Sequence, residues 1–358
     1  MGTKRYLDKN VLEAAQERIS LLFDNFDNIH VSVSSGKDST VLYTLALNEA
    51  IKRDRKIKVF FLDQEAEYDG TVVTMRKIMN HPNVLPYWYQ VPIYMTNATS
   101  YQQDMLYAWG PGEEWMRDKE DISIKEIVGE YPKRFYKFFE WFEAQQPSGS
   151  AFFVGLRGDE SLNRHRAVSK NPGWLDVKWS TKIKGGSFKF YPIYDWGISD
   201  IWKYIYDNNL FYNPIYDKMY ANNHSFYNSM RVSNLIHEKS FYCLADLQVL
   251  EPETYDKVIK RIKGTHCAAM YANDSYIYST DKLPEKFKTW REYRDYLLET
   301  TPYNNKARFV KRFNKQVQSE YTYKQHCKQL LINDFESNVG VVKEANKEDK
   351  FAKWRKIL

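Results

Sequence analysis

Ile29-His30-Val31-Ser32-Val33-Ser34-Ser35-Gly36-Lys37-Asp38-Ser39-Thr40 is the stretch that decides the fold. Its first half alternates β-branched apolar residues with polar ones, which predicts a strand over 29–34. A Ser/Gly loop follows. Asp38 and Ser39 then open a helix, because their side chains accept the unpaired N–H groups of a first turn. Val41, Leu42, Leu45 and Ala46 mark its inner face. A tight loop at a helix N-terminus aims several amides at one point, where the helix dipole adds positive charge. Gly36 allows close backbone approach, Lys37 adds a cation, and Ser34 and Ser39 add hydroxyls. The spacing is neither GxxxxGK[ST] nor GxGxxG, so without its strand and helix the loop would read as a plain helix cap.

Outward from this unit, strand and helix signals alternate. Asn10 to Asn25 carries apolar residues at spacings of three and four, as an amphipathic helix does. Lys58 to Leu62 is a short apolar run ending in Asp63-Gln64-Glu65, and reads as a buried parallel strand. Thr71 to Met79 predicts a helix, Trp88 to Pro92 a third strand, and Ala151 to Leu156 a fourth. Residues 96–150 read as an insertion or lid, helical over Tyr131 to Phe142. Ile198 to Asp207 reads as a helix opened by Asp195 or Ser199. Beyond Asp217 strand signals fade, and Pro252 to Ile262, Phe287 to Leu298 and Asn305 to Leu331 read as helical. Val342 to Leu358 is Lys-rich and reads as a solvated helix or tail. The expected fold is therefore α/β, a parallel sheet flanked by helices over 1–216, with a mainly helical region over 217–358.

In such sheets ligands bind beyond the carboxyl ends of the strands. Three polar clusters fall there: residues 34–40, 63–65 and 157–166. Ser34, Ser35, Gly36, Lys37, Asp38, Ser39 and Thr40 are the phosphate-side candidates. Arg157, Arg164 and Arg166 offer forked, permanently charged groups, with Glu160 placed to pair with one of them. Asp63 and its neighbours read either as a ligand-facing group, as a divalent-ion site, or as a solvated acidic loop.

Composition narrows the field. The 358 residues are 43% hydrophobic, enough for a sizeable core and for two domains. No run of about 18 apolar residues is present, so no membrane span is expected, and polar Met1 to Asn10 does not read as a signal peptide. Cys243, Cys267 and Cys327 form no CxxC pair, which gives no zinc or iron–sulfur signature and fits a cytoplasmic location. The net charge of +6 suits an anionic ligand without marking a nucleic-acid interface.

The loop Ser34 to Ser39 resembles the PP-loop, SGGxDS, of the adenine-nucleotide alpha-hydrolase superfamily, which includes ATP pyrophosphatases and phosphoadenylylsulfate (PAPS) reductases. Ser35 stands where that pattern has its first glycine. It is tolerated if its φ is negative; a positive φ implies strain or reshaping. Phe61 to Tyr68 resembles the superfamily's second-strand segment, whose polar end faces the sugar and base; this implies Asp63, with Gln64 and Glu65, near a ribose. Gly155-Leu156-Arg157-Gly158-Asp159-Glu160-Ser161, running on to Arg164 and Arg166, resembles the GxRxxES…R signature of PAPS-reductase-like proteins. Tyr191 to Trp196, Asp200 to Ile205 and Tyr212 to Asp217 resemble the segment that follows there, mainly architectural. Asp63 to Ala66, Trp109 to Arg117, Met230 to Ser233 and Leu250 to Thr254 resemble one branch of that group. That branch carries a C-terminal domain of unknown function and includes the immunoglobulin-binding-regulator A-type proteins.

The resemblance implies an adenine nucleotide, ATP or a relative, with Mg²⁺ placed by Asp38 or Asp63. It implies Lys37, Asp38, Arg157 and Arg164 as the catalytic set for cleavage between the α and β phosphates. The thiol motif ECGxH of true reductases is absent, which turns the expectation from sulfur reduction toward adenylyl transfer. Cys327, flanked by Lys324, His326 and Lys328, reads as a helical surface thiol or as one with a lowered pKa. Two other readings stand beside this one: a nucleotide sensor controlling a ParB/sulfiredoxin-like partner, and nucleic-acid binding or modification through Lys and Arg of 305–358.

Overall fold

The computed structural model describes residues 7–96, 105–169, 173–225, 230–232, 235, 243–266, 282–301, 305–331 and 333–335. It divides into two compact units, one of residues 1–95 and 107–234, the other of 96–106 and 235–358. The division lies beyond the expected 216/217 boundary because the helix Ile215–Ala221 buries Ile215, Tyr216 and Met219 in the first unit. The expected tail over Val342 to Leu358 lies outside the described residues.

The first unit opens with α1 (Val11–Asn25). Asn10 accepts from the Glu13 amide at 2.9 Å while the Glu13 carboxylate accepts from the Asn10 amide, so two orphan donors are satisfied reciprocally. Then come β1 (Ile29–Ser32), α2 (Lys37–Lys52), β2 (Ile57–Leu62), α3 (Asp69–Met79), β3 (Val84–Tyr89), and β4 (Ile93–Thr96) and β5 (Met105–Ala108), of which Thr96, Met105 and Leu106 fall in the second unit. The chain continues through α4 (Phe135–Ala144), β6 (Ala151–Val154), α5 (Leu162–Ser169), β7 (Ser180–Lys182), β8 (Phe188–Phe190), α6 (Ile198–Asp207) and α7 (Ile215–Ala221).

Six strands form one sheet in the order β3-β2-β1-β6-β8-β7. All neighbours run parallel except the edge strand β7, which is antiparallel to β8. Because side chains alternate along a strand, β1 sends Ile29 and Val31 into a core shared with α1, α2 and α6. It sends His30 to the opposite face, among Phe152, Phe142 and Tyr87. There α4 lays Phe142 on Phe60 and Phe152. That second aromatic layer absorbs part of the chain's 16% aromatic content.

The third strand begins four residues before the expected Trp88. The β7–β8 hairpin was not legible in three-residue strands, although the Gly185-Gly186 pair between them, both at positive φ, is a turn signal. The α6 cap is neither Asp195 nor Ser199: Gly197 precedes the helix and its amide donates to Asp200 at 2.7 Å.

The second unit is helical where described: α8 (Cys243–Leu250), α9 (Pro252–Arg261), α10 (Trp290–Thr300), α11 (Lys306–Phe313) and α12 (Glu320–Leu331). Phe309, Phe313, Leu330 and Phe335 form its small core. The expected continuous helix over 305–331 breaks between α11 and α12, where Gln318 donates to the Phe313 and Gln316 carbonyls. No helix among the described residues is long and apolar enough to cross a membrane.

Candidate functional site

From β1 the chain crosses to β2 on one side; after β3 it returns through β6 on the other. At such a reversal the two loops leaving the sheet diverge and open a crevice. Here they are 33–36 after β1 and 155–161 after β6, and Ser32 pairs with Val154 so that they leave side by side. Gly155 packs on the first turn of α2. A Cβ there would lie 2.9 Å from Ser39 Cα and 3.0 Å from Ser39 N, both backbone atoms, so the close approach requires glycine.

The 34–39 loop is internally tied. Ser39 Oγ donates to the Gly36 carbonyl at 2.9 Å and accepts from the Ser34 amide at 3.2 Å. Gly36 caps α2 in extended conformation, and Thr40 is buried in its first turn. Ser35 has φ +56, so the residue in the glycine position adopts the left-handed conformation, at a cost of roughly 1–2 kcal/mol. Its hydroxyl is buried and accepts from Asn213 Nδ2 at 2.9 Å. The Lys37 amide donates to the Tyr216 hydroxyl at 3.0 Å.

Charge gathers at the same place. Asp38 accepts from Arg157 Nε at 2.5 Å and lies 3.2 Å from Lys37 Nζ. Arg157 Nη1 reaches Asp159 at 2.6 Å. Burial lowers the pKa of Lys37, against the raising effect of Asp38; the charges of Arg157 and Arg231 lower it further. Desolvation, with the charges of Arg231 and Arg157, lowers the pKa of Arg164 against the raising effect of Asp38, although 44% of its side chain is exposed. Glu160 is paired with Arg164. The structure thus brings Ser34 to Ser39, Arg157, Glu160 and Arg164 together. Arg166 is exposed, and at two residues from Arg164 on α5 it points to a different helix face. Arg231 joins the cluster and had no site signal of its own: a lone Arg after a Met carries no spacing.

The 63–65 cluster is organised differently. Asp63 is fully buried. It accepts from Trp88 Nε1 and Gln90 Nε2 at 2.9 Å each, from the Glu65 amide at 2.9 Å, and from Arg117 Nη2 at 2.6 Å to both oxygens. Glu65 accepts from the Trp109 amide at 2.8 Å and the Met116 amide at 3.2 Å, and Trp109 Nε1 donates to the Asp63 carbonyl at 2.9 Å. Gln64 is half-buried between them. These acids therefore fasten the 109–117 segment of the insertion to the carboxyl end of β2, as a fixed wall. A magnesium ion held by Asp63 does not fit this donor set, since both carboxylate oxygens are taken by five donor contacts. Asp38 keeps its place beside the loop. Among the described residues no three His, Cys, Asp or Glu gather as a metal cluster.

In the second unit Cys327 is buried rather than on the surface, and burial pushes its thiol up to about 12. That is the reverse of activation.

A parallel α/β sheet with an SGxDS-type loop at its reversal point defines a PP-loop protein. The profile of the phosphoadenosine phosphosulfate reductase domain matches residues 28–223, and the chain belongs to that family. A domain of unknown function, DUF3440, matches residues 226–350. The chain is 31% identical over 314 residues to the uncharacterized protein YbdN of Escherichia coli (strain K12), covering 83% of this chain and 76% of YbdN. It is 25% identical over 209 residues to the phosphoadenosine 5'-phosphosulfate reductase of Buchnera aphidicola subsp. Acyrthosiphon pisum (strain Tuc7), covering 58% of this chain and 73% of that one. The crystal structure of PAPS reductase from Candida auris, a phosphate complex, aligns with TM-score 0.35 at 14% identity, over 60% of this chain and 94% of that one.

Proposed function

We propose that the first unit binds ATP or a related adenine nucleotide and cleaves it between the α and β phosphates, adenylating an acceptor. The acceptor oxygen attacks the α-phosphorus, the bond to the bridging oxygen breaks, and pyrophosphate leaves with that electron pair. The observation that carries this reading is the meeting of the 34–39 loop with the buried Lys37–Asp38–Arg157 chain in the crevice between β1 and β6. The Asp38 and Ser39 amides of α2 and the Lys37 ammonium hold the departing pyrophosphate; Arg164 neutralises charge as it develops, with Arg157 setting Asp38 beside them. Asp38, whose two oxygens face Arg157 and Lys37, would hold a divalent ion only by giving up the Lys37 contact, and the ion would supply charge neutralisation to the phosphates. Asp63 and Glu65 act on the nucleotide only through the wall they hold.

A thiol-dependent reduction draws no support from Cys327, buried with a raised pKa, or from the sequence, which lacks the reductase thiol motif.

The test is a thermal-shift panel of ATP, AMP, PAPS and pyrophosphate, followed by pyrophosphate release from ATP. ATP should stabilise the first unit, and Lys37→Ala should abolish that shift, because stabilisation follows affinity for the native state. The Cys243→Ser, Cys267→Ser, Cys327→Ser triple variant should behave as the parent. A shift by PAPS alone, lost in the triple variant, would overturn the proposal in favour of reduction.

A further inference from the structure

The loop's shape is held from a distant part of the chain. Ser35 and Asn213 are 178 positions apart, both fully buried. Asn213 Nδ2 donates to Ser35 Oγ at 2.9 Å and to Thr71 Oγ1 at 3.1 Å, while its Oδ1 accepts from the Ile215 amide at 3.0 Å. Every polar atom of that carboxamide is therefore directed. Gly70 walls it in: a Cβ there would lie 2.4 Å from Asn213 Oδ1 and 3.3 Å from the Ile215 nitrogen. Three residues on, the buried Tyr216 hydroxyl accepts from the Lys37 amide at 3.0 Å, and its ring stands edge-on to Trp202 with centroids 5.3 Å apart.

We propose that Asn213 and Tyr216 are positioning residues that preset the phosphate loop, gripping it on both sides of Gly36. Asn213 holds Ser35 in a left-handed conformation that a glycine would adopt unaided. Tyr216 fixes the peptide plane before Lys37. With residues 35 and 37 both tied, the two peptides around Gly36 have their directions set before any ligand arrives, and the ordering cost falls on folding rather than on binding. A hydrogen bond that served only core packing would need neither a left-handed acceptor residue nor two grips flanking the same glycine. The inference rests on the phosphate-binding role proposed for the loop.

The experiment uses the full chain with inorganic pyrophosphate as probe, and follows amide hydrogen exchange at 34–38 in the ligand-free protein. Asn213→Ala should speed that exchange and weaken pyrophosphate binding about tenfold, as loss of a hydrogen bond that orders the site does. Adding Ser35→Gly to it should return both to near the parent, because glycine tolerates positive φ and removes the stranded hydroxyl. Adding Ser35→Ala instead should not, since the Cβ remains. Tyr216→Phe keeps the ring against Trp202 but strands the Lys37 amide, so it should weaken pyrophosphate binding while lowering the melting temperature by only a few degrees. If Asn213→Ala does not fold, Tyr216→Phe alone decides: pyrophosphate binding and exchange at 36–38 equal to the parent's would overturn the brace. Equal exchange in parent and Asn213→Ala, or rescue by alanine as well as by glycine, would overturn the brace. A parent that binds no pyrophosphate would remove the phosphate-binding role while exchange still judged the brace.

Discussion

Arg157 Nε donates to Asp38 Oδ1 at 2.5 Å, joining the loop after β6 to the first turn of α2 across 119 residues of sequence. Both side chains are nearly buried, at 5% and 13% exposure. Such a pair gains little over water while intact, yet removing one partner strands a charge. Arg157 also reaches Asp159 through Nη1, so one guanidinium orients two carboxylates, a task suited to its planar fork.

Arg157→Ala should therefore cost about 3–5 kcal/mol in urea unfolding of the first unit, the range for breaking a buried pair. Arg157→Lys should recover only part of this, because an ammonium cannot bridge Asp38 and Asp159 with the same geometry. Equal stability of the alanine variant and the parent would show that the pair is not a buried link.

Gly155→Ala tests the seam between the two loops. The added methyl meets Ser39 Cα and N within about 3 Å, and neither is the end of a flexible side chain. The α2 N-terminus must shift, so ATP-induced stabilisation should fall at least tenfold in apparent affinity, in keeping with the sensitivity of positioned sites to small displacements. Gly158→Ala, whose Cβ would meet the Tyr194 carbonyl at 3.3 Å, serves as the milder control.

Much of this was legible in the sequence, for physical reasons. The 29–40 segment announces itself because strand, tight loop and helix are each locally encoded. Glu160 and Arg164 fall four apart in a charged run after a strand, and meet because Glu160 lies just before α5 and Arg164 in its first turn. Asp63 and Glu65 were visible as acids after a strand, but their partners were not. Trp88, Gln90, Trp109 and Arg117 come from β3, the residue just after it and the insertion, and only tertiary packing turns two candidate ligand groups into anchors of a wall. Asn213 and Tyr216 read as architecture because nothing within a few residues of them points to residues 35 and 37. The β4 and β5 strands, four residues each, are too short for periodicity to register.

Glu65→Gln should loosen the wall. Its carboxylate accepts two backbone amides, from Trp109 and Met116, and a neutral amide offers only one acceptor oxygen. Exchange of the Trp109 and Met116 amides should quicken, with a stability cost of about 1–3 kcal/mol for the donor left unsatisfied. If only the Met116 amide responds, the Trp109 contact has survived on the remaining oxygen; if neither does, the wall is held through Asp63, by its contacts with Arg117 and Trp109 Nε1.

Two buried histidines among the described residues, His30 and His326, give stability a pH dependence of known sign. Burial, with Lys58 adding to it, lowers His30 to about 3; burial, with Arg294 and Arg312, lowers His326 to about 4. Both are neutral in the native state. In the unfolded chain each titrates near the ordinary 6.5. Below that value the unfolded state takes up a proton that the native state refuses, so stability rises with pH through this window and is lost as pH falls from 6.5 toward 3. One such group changes the unfolding free energy by at most about 1.4 kcal/mol per pH unit. His30→Phe suits the site, since His30 stacks on Phe152 with centroids 4.6 Å apart and neither ring nitrogen has a hydrogen-bond partner. Urea unfolding of this variant and the parent, followed from pH 7 to pH 4, should diverge as the pH falls, with the variant losing stability less steeply. Parallel curves would mean that His30 takes up its proton in the folded protein as readily as in the unfolded one.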